Sequence, residues 1–214
     1  MSVRPQVAIE TGTAAPSVAA RLGDRVESRL LDGGASTLLV ALEACLEALG
    51  ARGERSAEWV AVAQGPGSYT GLRAGLASAA VLAHLGRVSL VPVPSALMWA
   101  CDLEHGWTEG TVCLDAGRDQ AWIQSVRCGA GGLPELVGDP RLEHREDALA
   151  LPGYLCGNLS WEAANEKAAR QMPARAAFLL DLAPGLSAQA PDEVLPIYFR
   201  PSRWEPAESA DGVD

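Results

Sequence analysis

The spacing of apolar residues changes several times along the 214-residue chain, and each change marks an element. Residues 7–10, 17–22 and 25–31 are short alternating runs that predict three antiparallel strands, the last two joined by a tight turn at Gly23-Asp24. Over 36–49 the period lengthens. Leu38, Leu42, Cys45 and Leu49 recur at i, i+4, i+7 and i+11, Leu39 and Leu46 stand alongside, and Glu43 and Glu47 lie away from them, which predicts an amphipathic helix stopped by Gly50. A buried strand follows over 59–64, then a second helix over 71–85, a strand over 88–93 and a helix over 95–103.

Residues 105–110 have no period and predict a boundary. Beyond them strands are expected over 111–115, 121–127 and, weakly, 133–137, then a helix over 145–151, a strand over 154–156 and a helix over 160–171. The order strand-strand-strand-helix-strand-helix therefore occurs twice. It predicts an α/β protein of two related lobes with mixed sheets flanked by helices. The expected division is 1–104 for the first lobe, 105–205 for a smaller second lobe, with 194–200 its last ordered piece, and 206–214 for a mobile acidic tail.

One stretch stands out. Gly65-Pro66-Gly67-Ser68-Tyr69-Thr70-Gly71-Leu72-Arg73 runs from a strand directly into the helix over 71–85, with Ser68 or Thr70 as its cap. Glycines before a helix N-terminus can cradle a phosphate, but this corner has neither the Lys-Ser/Thr ending of a P-loop nor the spacing of a dinucleotide fingerprint. The competing reading is packing. Gly71, Gly75, Ala79 and Ala83 fall every four residues and admit another backbone at close range, within the domain or from a partner, while Leu72, Leu76, Leu82 and Leu85 make the helix apolar almost all round. A second pattern is an acid two residues before a glycine, Glu10 with Gly12 and Thr13, and Asp115 with Gly117, at equivalent places in the two halves. Such a pair can grip magnesium and a nucleotide such as ATP or ADP between lobes, and ordinary strand-to-turn chemistry produces the same residues.

Charge and cysteine usage narrow the classes. A net charge of −10 with no basic cluster argues against holding nucleic acid unaided. Five dispersed cysteines without a C-x-x-C pair, and no signal peptide, predict reduced thiols and a cytoplasmic protein. The longest apolar stretch carries Arg73 and His84 and falls short of the roughly 20 residues of a membrane span. No histidine or cysteine spacing suits a metal, and Ser68 has no evident base, so neither a metal site nor a catalytic residue is expected.

The corner closely resembles the G-P-G-S-[FY]-T-G-[LI]-R signature of the TsaB (YeaZ) family. Ile9-Glu10-Thr11-Gly12-Thr13 is similar to that family's opening I-D-T-S-T, Cys113-Leu114-Asp115-Ala116-Gly117 to its L-D-A-R turn, and Pro196-Ile197-Tyr198-Phe199-Arg200 to its closing P-x-Y-[LV]-R. The resemblance implies an actin-like fold (the ribonuclease-H-like ASKHA class) and a non-catalytic subunit of the complex that makes threonylcarbamoyladenosine in tRNA. Such a subunit forms a heterodimer with a TsaD-like transferase, a TsaE-like ATPase joins them, and tRNA is held through the partner. It requires no cofactor. Free copies are expected to be able to pair through the same face. The pairing helices would be those over 36–49 and 71–85, which sets Leu38, Leu39, Leu42, Cys45, Leu46, Ser68, Tyr69, Thr70, Leu72, Arg73, Gly75, Leu76 and Ala79 as the expected partner-binding residues. Gly12 stands where the family has serine, which makes that turn look more phosphate-binding, so Glu10, Thr13, Asp115 and Gly117 are kept as the cofactor candidates.

Overall fold

The computed structural model describes residues 4–51, 57–101, 103, 106–158 and 175–200. Strands β1 (Gln6–Glu10), β2 (Ser17–Leu22) and β3 (Arg25–Leu30) form an antiparallel meander. Helix α1 (Leu38–Ala48), preceded by one 3₁₀ turn, leads to β4 (Trp59–Gly65), which pairs parallel with β1. Helix α2 (Tyr69–Gly86) then returns the chain to β5 (Ser89–Pro94), parallel to β4. The first sheet thus has the order β3-β2-β1-β4-β5. After α3 (Ser95–Ala100) the scheme repeats: β6 (Glu109–Gly117), β7 (Gln120–Cys128) and β8 (Pro134–His144) meander, α4 (Arg145–Leu149) crosses, and β9 (Tyr154–Cys156) pairs parallel with β6. The second sheet is β8-β7-β6-β9. The expected helix over 160–171 lies outside the described residues. A last helix, α5 (Ala176–Leu182), precedes the closing segment.

Strand alternation sorts the core into layers. Val7, Ile9, Val18, Ala20, Val60 and Val62 point toward α1 and α2, while Ala8, Ala19, Ala61 and Ala63 point the other way. Those alanines make a shallow face that lets α5 lie close on β1 and β2, where Ser17 Oγ accepts the Ala176 N–H at 3.0 Å and Arg21 pairs with Asp181. Helix α3 is buried along its whole length and joins this layer to Val112, Leu114 and Trp122 of the second sheet. Each fully buried Leu or Ile in these layers contributes about 1.5–3 kcal/mol.

Two expectations need adjusting. The weak strand over 133–137 is instead an eleven-residue strand running on to His144. A bulge with Gly138 at φ 65° carries it past Gly138-Asp139-Pro140, and the buried Gln124 Nε2 donates to the Val137 and Gly138 carbonyls at 3.0 and 3.1 Å. The helix over 95–103 stops at Ala100. Among the described residues no helix is long and apolar enough to cross a membrane.

Candidate functional site

The corner between β4 and α2 gathers most of the singled-out residues. Ser68 is the N-cap of α2, its Oγ accepting the Gly71 N–H at 3.3 Å. Behind it lies the β1–β2 turn: the Ser68 N–H donates to the Gly12 carbonyl at 2.8 Å, and Thr11 Oγ1 donates to the Gly71 carbonyl at 2.7 Å. The glycines are there for this contact. A Cβ on Gly67 would stand 2.6 Å from the Gly12 carbonyl oxygen, on Gly71 1.9 Å from that of Thr11, and on Gly75 2.1 Å from Thr11 Oγ1. The glycine end of the small-residue stripe is therefore filled by the chain's own first turn, and Ala79 and Ala83 pack in the core.

That turn also satisfies itself. The Glu10 carboxylate is fully buried and accepts from the N–H groups of Gly12 at 2.6 Å and Thr13 at 2.9 Å and from the Thr13 hydroxyl at 2.6 Å. Burial raises its pKa, while these hydrogen bonds and the charge of Arg175 oppose the rise. Arg175, itself buried, lies 3.6 Å over the Trp99 ring. The second lobe repeats the device: Asp115 Oδ1 accepts the Gly117 N–H at 2.9 Å, and the Asp115 N–H donates to Asn158 Oδ1. The structure brings Glu10 together with Thr13, and Asp115 together with Gly117. In each pair the N–H groups that would face a phosphate are engaged by the chain's own carboxylate. An incoming phosphate would compete with the chain's own carboxylate for the same donors.

The helix residues divide by face. Leu38, Leu42, Cys45, Leu72, Gly75, Leu76 and Ala79 turn inward and are buried. The first sheet takes the inner side of both helices, so these side chains pack within the chain. Leu39, Ser68, Tyr69, Thr70 and Arg73 are exposed, and Leu46 is half-buried. Other apolar side chains also lie outside: Val40 is 71% exposed and Val81 56%, neither singled out from the sequence, and Leu85 is 76% exposed. Helix α2 is apolar on nearly every side, so its period alone could not separate inner from outer positions.

Tyr69 is exposed at the first position of α2. Its hydroxyl accepts from Arg73 Nη1 at 2.6 Å, and its ring stacks on Tyr198 with centroids 5.0 Å apart. The hydrogen bond to Tyr69 raises the Arg73 pKa further, so the guanidinium is a fixed positive charge. Tyr198 belongs to the closing motif quoted above but carried no predicted role. Its neighbour is 129 positions away in sequence, and only the fold brings them together. Among the described residues no group of three or more His, Cys, Asp or Glu could hold a metal ion, and burial pushes the Cys113 thiol up to about 12.

Comparison with known proteins now decides the family. The sequence model described as TsaD: tRNA N6-adenosine threonylcarbamoyltransferase matches residues 35–177, well over half of the chain. The chain belongs to this family. Its corner carries the signature of the TsaB (YeaZ) branch. YeaZ from Pseudomonas aeruginosa has the same fold, with a TM-score of 0.73 and 22% identity over 91% of this chain and 99% of that one. An uncharacterized protein with similarity to peptidase YEAZ, also from Pseudomonas aeruginosa, matches with a TM-score of 0.73 and 21% identity over 92% of this chain and 100% of that one. No curated protein matches the sequence. The family is one of tRNA modification, and the fold is actin-like, as the resemblance implied.

Proposed function

We propose that this chain is the scaffold and activating subunit of a tRNA threonylcarbamoyladenosine complex. It binds and stabilises a TsaD-like transferase through the outer face of α1 and α2 and performs no chemistry itself. The observation that carries this reading is the division of that helix pair. Gly71 and Gly75 are spent on the chain's own β1–β2 turn, yet apolar side chains remain outside, Leu39 and Val40 on α1 and Val81 and Leu85 on α2, and the Tyr69–Arg73 pair is exposed at the start of α2. Exposed apolar surface of this kind, with an aromatic and an arginine at its edge, suits a protein partner better than solvent. A TsaE-like ATPase would join the pair, and tRNA would be held through the transferase, in keeping with the chain's acidic balance.

A nucleotide-binding enzyme of the same fold has weaker support, because Glu10 and Asp115 already occupy the donors of both turns. Size-exclusion chromatography with light scattering tests the leading reading: the chain and its organism's TsaD-like transferase should elute together as a 1:1 complex at micromolar concentration. Separate elution defeats it. Self-pairing of the free chain that disappears on adding the transferase would mean that both use the same face. Calorimetry with Mg-ATP tests the other reading, and heat at millimolar nucleotide would favour it.

A further inference from the structure

The closing segment 194–200 touches both sheets. Val194 is buried in the layer beneath α1 and α2. The Leu195 carbonyl accepts from Gln64 Nε2, and the Ile197 N–H donates to the Gln64 carbonyl, both at 2.8 Å. Gly65, at φ 112°, leaves room for this passage; a Cβ there would stand 2.2 Å from the Ile197 carbonyl oxygen. Beyond this point the segment moves to the second sheet. Tyr198 stacks on Tyr69, Phe199 meets the Trp122 ring edge-on at 6.5 Å, and Arg200 Nη2 donates to the Gly117 carbonyl at 3.3 Å and to Gln120 Oε1. Seven residues thus connect the β4–α2 corner with the β6–β7 turn.

The connection bears on the exposed face of α2. A tyrosine in the first turn of a helix is free to change rotamer, and ordering it on binding costs affinity. Here one ring face is held by Tyr198 and the hydroxyl by Arg73, while Tyr69 as a whole remains 53% exposed. This is a pre-oriented aromatic anchor with a cation beside it, suited to an apolar partner surface that offers a carboxylate to Arg73.

We propose that Tyr198 and Arg200 are positioning residues of the partner surface, holding Tyr69 in its binding orientation through a strap anchored on the second sheet. The proposal rests on the partner-binding reading above. It adds that residues away from the outer helix face, one of them anchored on the other sheet, set the affinity for the transferase.

The test measures affinity of the full-length chain for its organism's TsaD-like transferase by biolayer interferometry, with circular dichroism confirming the fold of each variant. Tyr198→Ala should weaken binding about three- to tenfold, the range expected for one aromatic pair. Tyr198→Phe, which keeps the stack, should restore it, and Arg200→Ala should weaken binding by a smaller factor. Because Tyr198 acts through Tyr69, its substitution should have no further effect once Tyr69→Ala is in place. A merely structural role would make the two losses additive, and additivity overturns the proposal. So does undiminished binding by Tyr198→Ala and Arg200→Ala while Tyr69→Ala binds poorly, an outcome that leaves the partner reading intact. Undiminished binding by Tyr69→Ala and Arg73→Ala removes the partner reading at this face, and the strap proposal with it.

Discussion

At the scale of single residues, Glu10 is the most constrained group in the chain. Its carboxylate closes the β1–β2 turn by accepting three hydrogen bonds, two of them from backbone N–H groups. Glu10→Ala would leave those donors without their acceptor, at a cost of about 1–3 kcal/mol per buried group, read as a lower midpoint in urea. Glu10→Gln keeps one acceptor oxygen and should lose less. Burial raises the native pKa of Glu10 above its ordinary 4.5, so above that value the native state holds a proton that the unfolded chain releases. Stability contributed by this group is therefore greatest below about pH 4.5 and declines as pH rises through the native value. The stability of wild type relative to Glu10→Gln should fall over that window and then level off. A difference that grows with pH would show that the three hydrogen bonds outweigh desolvation.

At the scale of elements, the contact between α2 and the β1–β2 turn is set by backbone against backbone. Gly71→Ala gains about 1 kcal/mol of helix propensity, but its Cβ would stand 1.9 Å from the carbonyl oxygen of Thr11, the residue directly after β1. Overpacking of this kind costs about 1–3 kcal/mol or more, so a net loss of stability is expected in chemical denaturation. Gly75→Ala meets the Thr11 hydroxyl instead, a group on a rotatable side chain, and should cost less. Equal stability of wild type and Gly71→Ala would show that the helix can shift. The same elements show what was legible beforehand. Strands β1, β2 and β4 are short apolar runs between glycine and polar punctuation, so their places were readable, as was the Ser68 cap. The outer face of α2 was not, because leucines surround it and only the neighbouring sheet decides which are covered. Strand β8 was cut short for a related reason: Gly138-Asp139-Pro140 reads locally as a break, and the side chain that makes it a bulge, Gln124, comes from the neighbouring strand.

At the scale of the whole molecule, the doubled sequence pattern suggests two lobes, and the packing joins them. Helix α5 comes after the second sheet in sequence but lies on β1 and β2 of the first, with Ser17 accepting its first N–H and Arg21 reaching the Leu180 carbonyl at 3.1 Å. No local pattern signals such a return, since it depends on the alanine face that Ala8, Ala19, Ala61 and Ala63 present only once the first sheet has formed. Helix α3 belongs to the same layer and is buried on all sides, touching β4 and β5 as well as β6, β7 and β8. One hydrophobic layer thus holds Ala61 and Val93 of the first sheet together with Val112 and Trp122 of the second. Cooperative units follow shared burial rather than sequence symmetry, so the two sheets should unfold as one. Leu180→Ala examines this directly. Leu180 is fully buried on α5, and its truncation should cost about 2–5 kcal/mol. If the layer couples the sheets, native-state hydrogen exchange will show slow amides of β1 and β2 and of β6 and β7 losing protection by the same increment, with a single transition in urea. If the lobes are separate units, the loss will be confined to the first sheet on which α5 rests, and the second will keep its wild-type protection.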